Sequence, residues 1–216
     1  AFAELLFDLR QRPTELLVPE DYDPTCPTPL LLVLHGYQAS AALQMVYWNI
    51  EQFLDTERVL VLAPDGTFDT RGNRFWNGEI PEICCSFWPD DVDDVGYLTG
   101  LLDEVEAVYN VDPDRIYVLG HSNGGMMAYR LGCELGDRLS AIVSLAGPSF
   151  PDLSDCLGGN TRVLHLHGTA DETVRYEGGT NVVNGGGGPY PGAEATVATW
   201  AAHLGCGAAP EDAGRM

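Results

Sequence analysis

Lysine is absent from this chain of 216 residues: all 11 basic side chains are arginine, set against 32 aspartates and glutamates, for a formal net charge of −21. A surface of that sign repels phosphate backbones and anionic bilayers, so binding to nucleic acid or to membrane is not expected. It suits a saline habitat, or simply a soluble surface, and says nothing of chemistry. Long apolar runs are also missing. Although 45% of the residues are hydrophobic, no run approaches the ~18 residues that cross a bilayer. The opening Ala1-Phe2-Ala3-Glu4 has neither the basic end nor the apolar core of a signal peptide. Such a peptide is expected to have been removed or never to have been there.

Repeated C-x-x-C pairs are lacking too. The six cysteines, Cys26, Cys84, Cys85, Cys133, Cys156 and Cys206, are scattered, which argues against a zinc ribbon. Their even number favours disulfides made in an oxidising, extracellular compartment over reduced core thiols. Adjacent Cys84 and Cys85 are expected to bond elsewhere rather than to each other, and the pairing itself is not legible. No metal site is expected.

What is present is alternation. Leu30 to Leu34 and Val59 to Ala63 are short apolar runs, each stopped by turn residues, His35-Gly36 and Pro64-Asp65-Gly66. Ile116 to Leu119, Ile142 to Leu145 and Val163 to Leu166 repeat the pattern. Helices are predicted over about 41–56, 91–109, 123–136 and 193–204. Long loops are predicted over 66–89 and around Gly185 to Gly188. Strand alternating with helix predicts an α/β fold, a mostly parallel sheet covered on both faces. Residues 1–29 are expected to add one or two antiparallel edge strands. At this length one domain over 1–216 is expected.

Gly120-His121-Ser122-Asn123-Gly124 matches G-x-S-x-G. The pentapeptide alone is a weak signal, because a glycine turn with a helix-capping serine has the same composition. Its setting makes it strong: a strand, Ile116 to Leu119, runs straight into it, and a helix from Met126 to Leu131 runs straight out. That strand–turn–helix is what a nucleophile elbow requires, with Ser122 lifted above the carboxyl edge of the sheet. Acyl transfer also needs two N–H donors where the tetrahedral oxyanion forms. The backbone of Asn123 is one candidate. Tyr37, after the strand that ends in His35-Gly36, is the other, with Gln38 next. His35 is read as a buried turn histidine. Asp171, in the loop after the strand bearing His165 and His167, is the candidate acid that orients a base. The two histidines are read as wall or packing residues.

Further candidates are open to two readings. Trp76, Asn77, Phe87 and Trp88 line a substrate cleft or pack the long loop on the core; Trp76 and Trp88, with Gln38, are the candidate substrate contacts. The acidic run of Asp90, Asp91, Asp93 and Asp94 complements a helix dipole better than it makes a calcium site.

With these pieces placed, the chain resembles the polyhydroxybutyrate-depolymerase and feruloyl-esterase group of secreted α/β-hydrolases. The likeness rests on Val111-Asp112-Pro113-Asp114-Arg115-Ile116-Tyr117-Val118 and on the extended Gly120-His121-Ser122-Asn123-Gly124-Gly125-Met126-Met127-Ala128-Tyr129-Arg130-Leu131. It continues in Asp93-Asp94-Val95-Gly96-Tyr97, His167-Gly168-Thr169-Ala170-Asp171 and Tyr176-Glu177-Gly178-Gly179. It implies ester hydrolysis without cofactor, Ser122 as nucleophile, Asp171 as acid, and extracellular ester substrates. These would be plant-wall feruloyl or acetyl esters, or polyester oligomers.

One member of the set is not found. Fold and family place the catalytic histidine after the acid, beyond one further strand. Of the five histidines, four precede Asp171, and His203 falls at the end of the last expected helix. The sheet is therefore expected to lack its last strand and histidine loop. Three explanations stand: a piece of a longer enzyme, a shortened or inactive relative, or His203 as an unorthodox base. The rival function is a catalytically impaired scaffold that binds carbohydrate or polymer.

Overall fold

The computed structural model describes residues 12, 14–78, 92–156, 159–180 and 189–207. Its centre is a six-stranded sheet made of β1 (Leu16–Leu17), β2 (Thr28–Leu34), β3 (Leu60–Leu62), β6 (Val111–His121), β7 (Ala141–Leu145) and β8 (Arg162–Leu166). The spatial order is β1-β3-β2-β6-β7-β8. β1 runs antiparallel to β3, as an edge strand from the first 29 residues should. The other neighbours are parallel.

Strand parity explains the two-sided core. Successive side chains point to opposite faces, so Leu30, Leu32 and Leu34 of β2 bury on one face with Leu98, Leu101, Met127 and Tyr129. Leu31 and Val33 bury on the other with Ile50, Leu54 and Val61. Complete burial of a leucine is worth about 1.5–3 kcal/mol. A strand apolar at every position is therefore stable only when helices cover both sides.

Those helices are α1 (Ala41–Tyr47), α2 (Ile50–Glu57), α3 (Asp94–Val108), α4 (Asn123–Glu134) and α5 (Ala193–His203). The single helix predicted over 41–56 is two. Asn49 adopts the left-handed conformation, φ 53° and ψ 42°, which asparagine tolerates better than most residues, and the chain turns there. At the start of α3, Asp93 caps the helix by accepting from the Gly96 amide at 2.7 Å. Asp94 is buried and paired with Arg12 at 2.6 Å. Asp90 and Asp91 lie outside the described residues.

The two regions predicted as loops each contain paired strands. β4 (Thr67–Phe68) pairs with β5 (Arg74–Phe75), and β9 (Gly178–Thr180) with β10 (Pro189–Pro191). Of the cysteines, Cys133 and Cys156 form a disulfide, whereas Cys26 and Cys206 are exposed thiols. Cys84 and Cys85 lie outside the described residues. Among the described residues, no helix is long and apolar enough to cross a membrane.

Candidate active site

Ser122 stands between β6 and α4 with φ 53° and ψ −115°, a backbone conformation that a residue with a side chain occupies only under constraint. The constraint comes from its neighbours. A Cβ on Gly120 would lie 2.1 Å from the Gly124 carbonyl oxygen, and one on Gly124 would lie 2.4 Å from that of Leu34. Only glycine at both positions lets the turn close this tightly against β2. The serine amide donates to Leu145 O on β7, and its carbonyl accepts from Met126 as α4 begins. Among the described residues its hydroxyl has no hydrogen-bond partner.

Two backbone amides are candidate donors at this point. Asn123, the first residue of α4, has an amide without an intrahelical acceptor, as all first-turn amides do. The turn after β2 comes against the elbow: a Cβ on Gly36 would lie 3.5 Å from Ser122 Cβ. Of the two sequence candidates in that turn, Gln38 has its amide committed to Arg74 O at 2.9 Å. The Tyr37 amide is unpaired among the described residues. The Tyr37 ring is anchored away from it, its hydroxyl donating to Asp69 at 2.6 Å and accepting from Asn73 at 3.0 Å. Burial and the Asp69 carboxylate push that phenol up to about 12. Burial alone would raise Asp69, but the Tyr37 hydroxyl and the Asn73 and Arg71 amides outweigh it and hold the carboxyl below its usual range. The β4–β5 hairpin thus fixes the turn that carries the Tyr37 amide.

The side chain of Asn123 does something that the sequence did not signal. Its Oδ1 accepts from the Trp76 amide at 2.7 Å, and its Nδ2 donates to Trp76 O at 2.9 Å. Trp76 in turn donates its indole N–H to His35 O at 3.0 Å. Trp76 is fully buried, so the cleft reading gives way to the packing one: its ring belongs to the core, and no surface remains for a substrate. His35 is buried as expected, its Nε2 accepting from Gly66 N and its Nδ1 donating to Gly36 O. Burial lowers its pKa, so it stays neutral. Trp88 and Phe87 lie outside the described residues, and Asn77 binds the backbone of Val92.

Asp171 lies in the turn after β8. Its Oδ1 is held by the Thr173 and Val174 amides at 2.8 and 2.9 Å. Among the described residues its Oδ2 has no hydrogen-bond partner, the His167 imidazole lying 3.8 Å away, beyond hydrogen-bond reach. One carboxylate oxygen is thus fixed and the other is free to accept. His121, beside Ser122, feels this charge; burial lowers its pKa and Asp171 partly restores it. Its ring stacks on Tyr47 with centroids 5.2 Å apart.

No imidazole hydrogen-bonds Ser122 among the described residues. His165 and His167 bond to each other at 3.1 Å. His203 is exposed at the end of α5 with its ring against Trp200, and it makes no bond to Ser122 or Asp171.

A parallel sheet carrying a strained serine between strand and helix, with an acid loop after a later strand, defines an α/β-hydrolase. The chain belongs to the Phospholipase/Carboxylesterase family, whose model matches residues 24–184, a span that includes Ser122 and Asp171. Feruloyl esterase B of Piromyces equi is 31% identical over 192 residues, 85% of this chain and 34% of that protein. A bifunctional acetylxylan esterase/xylanase of Neocallimastix patriciarum is 26% identical over 155 residues, 69% of this chain and 20% of that one. The chain therefore spans about a third or less of these two relatives. Among solved structures, the poly(3-hydroxybutyrate) depolymerase LpqC of Bordetella parapertussis shares the fold. Its TM-score is 0.53 at 19% identity, covering 73% of this chain and 61% of that one.

Proposed function

We propose that the chain carries the nucleophile and acid of a serine carboxylic-ester hydrolase acting on extracellular esters, feruloyl or acetyl esters of the plant wall or polyester oligomers. The observation that carries the proposal is Ser122 at φ 53° on a strand–helix turn, with the unpaired Tyr37 and Asn123 amides beside it. In the reaction Ser122 Oγ attacks the ester carbonyl while a histidine takes its proton. The oxyanion collects at the two amides. Collapse expels the alcohol, which recovers the proton, and water repeats the sequence to release the acid. The steps require neither metal nor organic cofactor.

None of the five histidines hydrogen-bonds Ser122 among the described residues, so the proton acceptor is not assigned to any of them. Two features support the extracellular setting: the Cys133–Cys156 disulfide and the likeness to a feruloyl esterase. Loss of one triad member leaves a residue of catalysis from the oxyanion hole and binding. The chain alone should therefore hydrolyse p-nitrophenyl acetate slowly and in a Ser122-dependent way. Equal rates for the chain and Ser122→Ala would remove the esterase reading of this chain and favour the impaired scaffold that binds polymer.

A further inference from the structure

Three polar side chains near Asp171 have no part in the reaction just described, yet they are joined end to end. Tyr129 Oη lies 2.9 Å from His165 Nδ1. His165 Nε2 lies 3.1 Å from His167 Nδ1, and His167 Nε2 lies 2.6 Å from Val174 O. The directions of these bonds follow from the last acceptor. A backbone carbonyl only accepts, so His167 Nε2 carries a proton. In a neutral imidazole the other nitrogen is then bare, so His167 Nδ1 accepts and His165 Nε2 donates. His165 Nδ1 is bare by the same rule and accepts from the Tyr129 hydroxyl. One carbonyl thus fixes both tautomers, and all three bonds run one way.

The ends of this chain lie on the two halves of the site. Tyr129 is on α4, the helix that begins directly after Ser122. Val174 is in the acid loop, and its amide holds Asp171 Oδ1 at 2.9 Å. The surroundings are closed: Tyr129 is fully buried and packs on Trp200 at 5.4 Å. The His167 side chain is 3% exposed and has the Tyr176 ring edge-on at 5.9 Å. A space of this kind is more simply filled by leucine or phenylalanine. A fully satisfied polar chain instead selects one geometry.

We propose that Tyr129, His165 and His167 are positioning residues that hold the Asp171 loop in a fixed place relative to the Ser122 helix. The proposal rests on Ser122 and Asp171 being the nucleophile and acid. Burial, then the neighbouring His167, brings His165 down to about 4, which keeps the His165 ring neutral over the range where esters are hydrolysed. The titratable groups facing it are Asp171, 3.8 Å from His167 Nε2, and Tyr176, edge-on to the His167 ring.

The test is nitrogen-15 NMR of the histidine rings in the full chain, with amide hydrogen exchange at Thr173 and Val174. In the unaltered chain both rings should be single tautomers, with the proton on Nε2. Tyr129→Phe keeps the ring and removes only the hydroxyl. It should mix the His165 tautomers and speed exchange at both amides about tenfold, the effect of losing roughly one hydrogen bond. A proton on His167 Nδ1 in the unaltered chain would overturn the proposal without any variant. So would unchanged exchange in Tyr129→Phe. Neither readout needs turnover, so their failure is separate from that of the esterase reading, which is judged by Ser122→Ala.

Discussion

Replacing Asn123 by alanine isolates the contact that ties the nucleophile elbow to the loop before α3. The side chain is 1% exposed, and its two atoms satisfy both backbone groups of fully buried Trp76, at 2.7 and 2.9 Å. Alanine leaves the Trp76 N–H without a partner in a dry core, whereas the Trp76 C=O keeps the Gly78 amide at 3.1 Å. An orphaned buried polar group costs about 1–3 kcal/mol, and that is the loss expected. For a chain of this length, it corresponds to a Tm lower by roughly 2–12 °C. The variant keeps the Asn123 backbone amide, so the candidate oxyanion donor itself is not removed. Asn123→Asp retains the acceptor but sets a second oxygen against Trp76 O, and it should not restore stability. Urea unfolding followed by tryptophan fluorescence measures the difference. A loss below about 0.5 kcal/mol for Asn123→Ala would show that these bonds do not hold the elbow, and the reasoning would fail.

Three other outcomes are expected. Reduction of Cys133–Cys156, which closes a separation of 23 residues, should cost about 3 kcal/mol by the loop-entropy relation. A thermal melt with and without reductant reads it. His165 titrates near 4 when folded against 6.5 as its ordinary value, so the unfolded chain binds the extra proton between those limits. Its stabilising contribution is complete above pH 6.5 and fades as the pH falls toward 4, by about 1–2 kcal/mol after allowance for partial exposure. Unfolding midpoints measured from pH 4 to 8 should shrink on the acid side, and less so in His165→Phe. Gly124→Ala would place a Cβ 2.4 Å from Leu34 O. It should cost about 3 kcal/mol or more through overpacking, seen as low yield of folded protein or a lowered denaturation midpoint.

The features legible in the sequence are those with local causes. β2 could be read because an apolar run as dense as Leu30 to Leu34 is stable only in a doubly covered strand. The elbow could be read because strand, glycine turn and helix are adjacent in the chain. Other features depend on partners distant in sequence. The break at Asn49 arises from a single left-handed residue inside an otherwise helical pattern. The β4–β5 and β9–β10 pairs lie in stretches whose composition reads as loop. Trp76 is open to a cleft reading and a packing reading in the sequence; its burial goes with its bonds to Asn123, 47 positions away. The histidine relay had only a faint trace, since His165 in β8 and His167 just after it are two residues apart and the tyrosine that completes it sits 36 residues before His165.

The central claim is that Ser122, with the Tyr37 and Asn123 amides, is a competent acyl acceptor whose deficiency in this chain is a base. The most direct measurement is hydrolysis of p-nitrophenyl acetate by the chain with and without added imidazole, corrected by the same rates for Ser122→Ala. We expect the Ser122-dependent rate to rise at least about tenfold with imidazole, as a supplied general base should give, with an acetyl group recovered on Ser122 by mass spectrometry. No Ser122-dependent rate at any imidazole concentration, and no acetyl group on Ser122, would contradict it.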